Sequence, residues 1–167
     1  MLRDKLGPDQ VTQTLAAQDA AVQEKIQDLL GPNGVAQYQD YTKNLLSTMT
    51  AYLFSGMTTG TAEEKADKYR QLSQVMQEEV QAALASAGLP ADYQVVPSLN
   101  FRNFASEAEG DQSLNLLDDI YQRVGARAGS FLSADEVAKL QEFEASAISY
   151  HRNTLTLGRT MMAPIAN

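Results

Sequence analysis

Residues 132–143 read LSADEVAKLQEF, and residues 30–41 read LGPNGVAQYQDY. Position by position, both describe the start of an amphipathic helix. Leu132 and Leu30 precede the helix, Ser133 and Gly31 stand at the N-cap, and Ala134 and Pro32 open the first turn. Val137 and Val35 fall where an apolar side chain staples back onto the preceding Leu. The continuations agree as well: Tyr38 matches Leu140, and Tyr41 matches Phe143. A third opening, LGPDQV at 6–11, puts Leu6 and Val11 in the staple positions. Two explanations stand side by side: a start signal that recurs because helices need starting, and a duplicated helical hairpin. The offset of 102 residues occurs once, outside the ~20–50-residue periods of solenoids, so no repeat array is written here.

Outward from these starts, Gly and Pro punctuate one amphipathic segment after another. The chain predicts an all-α fold, a bundle of about five amphipathic helices in one helical domain over 1–167, with one long irregular connection at 89–110. The first helix spans about 8–30 on Val11, Leu15, Val22, Ile26 and Leu29, and Gly31-Pro32 stops it and starts the next. The second reaches about Phe54 on Val35, Tyr38, Tyr41, Leu45, Met49, Tyr52 and Leu53. Thr61 and Glu64 form a capping box for the third, whose stripe is Tyr69, Leu72, Met76, Val80, Ala83 and Leu84. The connection carries a short helical turn at about 100–107. A fourth helix follows on Leu114, Leu117, Ile120, Tyr121 and Val124. The fifth starts at Ser133 on Val137, Leu140, Phe143, Ala147, Ile148, His151 and Leu155. Tyr93–Val96 is the one stretch with any strand character.

Composition narrows the partners. Hydrophobic content of 44% with 20% charged residues suits a packed globular core. A formal charge of −8 argues against duplex nucleic acid, whose phosphates need clustered Lys and Arg, and against an anionic membrane surface. The absence of Cys removes disulfides, thiolate metal sites and a thiol nucleophile. No apolar run approaches the ~20 residues of a membrane span, and no membrane insertion is expected. The opening MLRDKLGPDQ lacks the apolar core of a signal peptide, so the expectation is a cytoplasmic protein or an exported one whose leader has been removed.

A leucine, a small capping residue, and a Gln or Glu three residues after the cap, opening a long amphipathic helix, resembles the LTxxQ motif of Spy/CpxP-type helical proteins of the bacterial periplasm. The copies here are Leu6-Gly7-Pro8-Asp9-Gln10 and Leu132-Ser133-Ala134-Asp135-Glu136, and more loosely Leu30-Gly31-Pro32-Asn33-Gly34. No copy has Thr at the cap, only the first has Gln, and the chain is acidic where members of that family are often basic. The resemblance implies an extracytoplasmic, chaperone-like or sensor-modulating protein of the stress response, commonly a homodimer, that binds unfolded clients or a sensor protein. It carries over no catalytic residue.

The residues bearing chemistry are few. His151 is the only histidine and lies seven residues after Glu144, which is not the Glu-x-x-His spacing of a di-iron bundle. It reads as a helix residue satisfied by a neighbour or by water. The doublets Glu63-Glu64, Glu78-Glu79 and Asp118-Asp119 diverge by about 100° on a helix and read as solvated surface. Neither a catalytic set, a metal site nor a cofactor box is written. Tyr38, Tyr41, Tyr52 and Tyr69 fall on apolar stripes, which predicts core packing with hydroxyls at the rim. Between 93 and 104, Tyr93, Val96, Leu99, Phe101 and Phe104 crowd an irregular stretch; it reads as a cover over the core or as a lip that binds a protein or peptide. Met161, Met162 and Ile165 at the C-terminus dock or fray. The function expected is noncatalytic binding in an apolar groove between helices. The alternatives are an oligomerising module of a larger assembly and a small-ligand- or metal-binding protein.

Overall fold

The computed structural model describes residues 8–162; Leu6 and Ile165, together with the side chains of Gln10, Val11, Leu15 and Met162, lie outside the described residues. The chain is all-α, as the periodicity predicts. Five helices longer than one turn, α1 (Pro8–Lys43), α2 (Leu45–Ser55), α3 (Ala62–Ser86), α5 (Glu107–Ala128) and α6 (Ala134–Met162), are joined by a 3-10 turn at Pro97–Leu99 and the one-turn α4 (Arg102–Ala105). No strand occurs among the described residues, so Tyr93–Val96 is irregular chain.

Local chemistry explains most boundaries. The Thr61 capping box forms as its residues dictate: the Glu64 amide donates to the Thr61 hydroxyl at 3.2 Å, and the Thr61 amide donates to the Glu64 carboxylate at 2.7 Å. At the other end of α3, Gly88 takes φ 65°. The Leu89 amide reaches back to Leu84 O and the Gly88 amide to Ala85 O, a Schellman cap that requires a left-handed residue. α5 begins at Glu107, seven residues before Leu114. Ser106, whose hydroxyl accepts from the Glu109 amide, starts it with a polar first turn that carries no apolar signal. The irregular connection is correspondingly shorter than expected.

Gly31 does not act as the expected N-cap. It sits inside α1 at φ 64°, ψ 175°, a kink between two helical runs that only glycine accommodates easily. With no side chain to receive an amide, it makes no cap, and Leu30 remains half-exposed. A Cβ placed on Gly34 would come within 2.7 Å of the Leu30 Cβ, so Leu30 lies over the bare Gly34 backbone and seals no core. The second expected helix is also divided at Asn44, although the Asn44 amide still donates to Asp40 O and the Thr48 amide to Asn44 O.

The core lies among α2, α3, α5 and α6. Phe54, Leu72, Met76, Leu84, Leu117, Ile120, Val124 and Leu140 are fully enclosed, each worth about 1.5–3 kcal/mol for the apolar area removed from water. Phe54 and Phe143 meet as tilted rings 6.3 Å apart, tying α2 to α6. α1 touches α4 and α2, and none of its described residues is fully buried. Among the described residues, no helix is long and apolar enough to cross a membrane.

Candidate functional site

The face of α2 that packs inward is not the stripe of Met49, Tyr52 and Leu53 that the spacing marks. Leu46, Ser47, Thr50, Ala51 and Phe54 are buried, whereas Met49, Tyr52 and Leu53 point outward. The helix is apolar on both sides, so hydrophobic spacing cannot choose between them. Burying the Ser/Thr side costs little: Ser47 donates to Asn44 O at 2.8 Å, and Thr50 sits beside the Tyr121 hydroxyl, whose pKa it lowers. Met49, Tyr52 and Leu53 are left outside. Tyr38, Tyr41 and Tyr52 are therefore exposed, a correction to their expected core positions, while Tyr69 packs against the core.

The outcome is a set of exposed apolar side chains, Tyr38, Tyr41, Met49, Tyr52 and Leu53, at helical spacing from the second half of α1 through α2, with Met57 in the turn that follows. Tyr41 is 63% exposed and Tyr52 is 70% exposed. At one edge of the row, an open recess of about 330 Å³ is lined by Tyr52, Ser55, Lys65, Ala66 and Tyr69. Farther toward the N-terminus, Val22 and Leu29 are exposed on α1 as well.

The stretch from 93 to 104 divides between the two roles expected of it. Val96 is buried with Val95 and Pro97 in the core, and Tyr93 packs against it, so this half covers the bundle. Buried Asn103 pins it by donating to Pro97 O at 2.9 Å, and Arg159 of α6 donates to Asn103 O at 2.9 and 3.1 Å. Ser98 hydrogen-bonds His151 Nδ1 at 3.0 Å; this is the neighbour that satisfies the only histidine, whose pKa burial lowers. Phe104 is half-buried against Gly158, where any Cβ would collide with its ring. Leu99 and Phe101 alone of the five expected contact residues are exposed.

Two carboxyls on α6 are enclosed. Glu136 is 1% exposed and completes the cap that LSADE encodes: its carboxylate accepts from the Ser133 amide at 2.9 Å, while the Glu136 amide donates to the Ser133 hydroxyl at 3.3 Å. Its other oxygen takes the Thr59 amide at 2.7 Å, the Thr59 hydroxyl at 3.0 Å and the Lys68 ammonium at 2.8 Å. Burial alone would raise its pKa, but Lys68, the Thr59 amide, the Ser133 amide and the Thr59 hydroxyl together hold it well below the usual carboxylate range. Leu132 is buried and Val137 packs on the same cluster, so this helix start is built as expected and clasps the α2–α3 turn besides. Thr59 and Lys68 lie 77 and 68 residues from Glu136, beyond any local pattern.

Glu144 is 5% exposed, and its Oε1 has no hydrogen-bond partner among the described residues. Burial pushes its pKa up to about 8, with a further push from Asp118. The legible signal for it was its place four residues from Leu140 and from Ile148, on the buried stripe of α6. Tyr121 beside it is pushed up to about 12 by burial, against the pull of Thr50 and with a further push from Glu144. Among the described residues, no group of three or more His, Cys, Asp or Glu is placed to hold a metal ion. No family model, curated protein or solved structure matches the chain.

Proposed function

We propose that this chain is a noncatalytic helical binding protein, chaperone-like or sensor-modulating, that receives an apolar segment of another protein on the outer face of α1 and α2. The observation that carries the reading is the row Tyr38, Tyr41, Met49, Tyr52, Leu53 and Met57, left exposed while the facing stripes of α3 and α5 are enclosed. Large apolar side chains left exposed together mark interaction surfaces when they form a patch of more than a few hundred Å². Tyrosine offers a broad ring with little entropy to lose, and methionine adapts to irregular partners. An amphipathic segment laid along such a row meets anchors at helical spacing. The net charge of −8 keeps copies apart while the face stays open. Leu99 and Phe101 supply a second, smaller contact. An extracytoplasmic location goes with this reading through the LTxxQ-like Leu132–Glu136 opening, and fractionation of cells carrying the native gene tests it.

The experiment for binding is suppression of a model client's aggregation by the purified protein. The intact chain suppresses it at near-stoichiometric ratios, and the triple variant Tyr41→Ser, Tyr52→Ser, Leu53→Ser does so several-fold less while melting as a folded protein. No suppression at large excess, or equal suppression by the variant, overturns the proposal.

A further inference from the structure

Glu144 sits in the seam between α5 and α6. Among the described residues one of its oxygens has no partner, and the other approaches Gly125, at 3.8 Å from where a Cβ on that glycine would stand. The groups around it offer no compensating charge. From α5, Asp118 bears on it with the same sign and Tyr121 is a neutral phenol. From α2, whose sequence LLSTMTAYLFS holds no charged residue, Thr50 engages Tyr121. On α6 itself, Gln141 is the polar neighbour at Gly125. The cations in the second half of α5 are engaged elsewhere: Arg127 is bound to Glu78 at 2.6 Å and Glu79 at 2.7 Å of α3, and Arg123 to Asp119 at 2.8 Å.

We propose that Glu144 is a built-in pH-responsive element, enclosed as the neutral acid, whose ionisation in alkaline solution loosens the α5–α6 seam and, through Tyr121 and Thr50, the inner face of α2. A neutral carboxyl at this position leaves one acceptor without a partner, a modest cost. A carboxylate there would be an unpaired charge beside Asp118, which is far more costly. The folded chain therefore holds the Glu144 proton up to a pH of about 8, whereas an exposed Glu releases it near 4.5. Between those values the folded state binds more protons than the unfolded one, so stability from this group falls as pH rises. The contribution is whole below about pH 4.5 and gone above about pH 8. The inference does not depend on the binding function and stands or fails separately from it.

The test pairs two measurements on the whole chain. Denaturant unfolding from pH 5 to pH 9 compares the native chain with Glu144→Gln, which keeps the shape and removes the proton. Relative to that variant, the native chain's folded-to-unfolded ratio falls by up to on the order of a thousandfold over the range. Independently, NMR titration of the native Glu144 side-chain carbonyl gives a midpoint near pH 8, a reading that survives even if the variant does not fold. Parallel stability curves, or a Glu144 midpoint near 4.5, overturn the proposal.

Discussion

Phe54 and Leu53 are neighbours in sequence on α2, yet Phe54 is 0% exposed and Leu53 is 52% exposed. The pair marks the boundary between two regions of the molecule. On one side α3, α5, α6 and the inner face of α2 are closed over one core; on the other, α1 and the outer face of α2 present side chains just as apolar to water. Hydrophobicity therefore does not decide burial here. The inward face carries the small Ser47, Thr50 and Ala51 beside Leu46 and Phe54, and the Ser47 hydroxyl stays satisfied there by donating to Asn44 O.

The largest expected effects separate the two regions most sharply. Phe54→Ala opens a cavity and is expected to lower stability by about 3–5 kcal/mol, whereas Leu53→Ala should change it by no more than about 0.5 kcal/mol. Chemical denaturation of the two variants side by side measures the difference, and similar losses would abolish the division. Next comes the clasp. Glu136→Gln leaves Lys68 without its counter-charge and removes an acceptor for buried donors, at a cost of about 2–3 kcal/mol. Because its pKa is lowered in the folded state, Glu136 stabilises the protein above about pH 4.5 and loses that contribution as pH falls below it. Acid unfolding of Glu136→Gln should accordingly be shallower than that of the native chain. Thr61→Ala, which deletes one capping acceptor at the start of α3, should cost about 1 kcal/mol in a thermal melt. Tyr41→Ser with Tyr52→Ser is expected to leave the melt within about 0.5 kcal/mol.

The helices were legible because their starts are written locally. Thr61 with Glu64, and Leu132-Ser133 with Glu136 and Val137, act within one turn, so the capping chemistry is complete in the sequence. LGPNG carries the same letters without the chemistry: Gly31 cannot accept an amide, and Gly34 stands where Glu136 stands in the other copy. Two of the three leucines of the repeated phrase thus differ in fate, Leu132 enclosed and Leu30 half-open, while Leu6 lies outside the described residues. The candidate face was marked by spacing as a stripe, but spacing does not say whether a stripe meets a neighbour. Glu144 falls on the buried stripe of α6, yet its environment depends on Asp118 and Tyr121 of another helix. The covering and projecting halves of 93–104 depend on anchors from α6 that no window of that segment contains.

Everything proposed for function rests on one side of a single helix pair staying wet while the adjacent residues are sealed. Hydroxyl-radical footprinting of the folded protein reads this tyrosine by tyrosine. Fast labelling of Tyr41 and Tyr52 with strong protection of Tyr121 is the expected pattern; protection of Tyr41 and Tyr52 to the level of Tyr121 would contradict it.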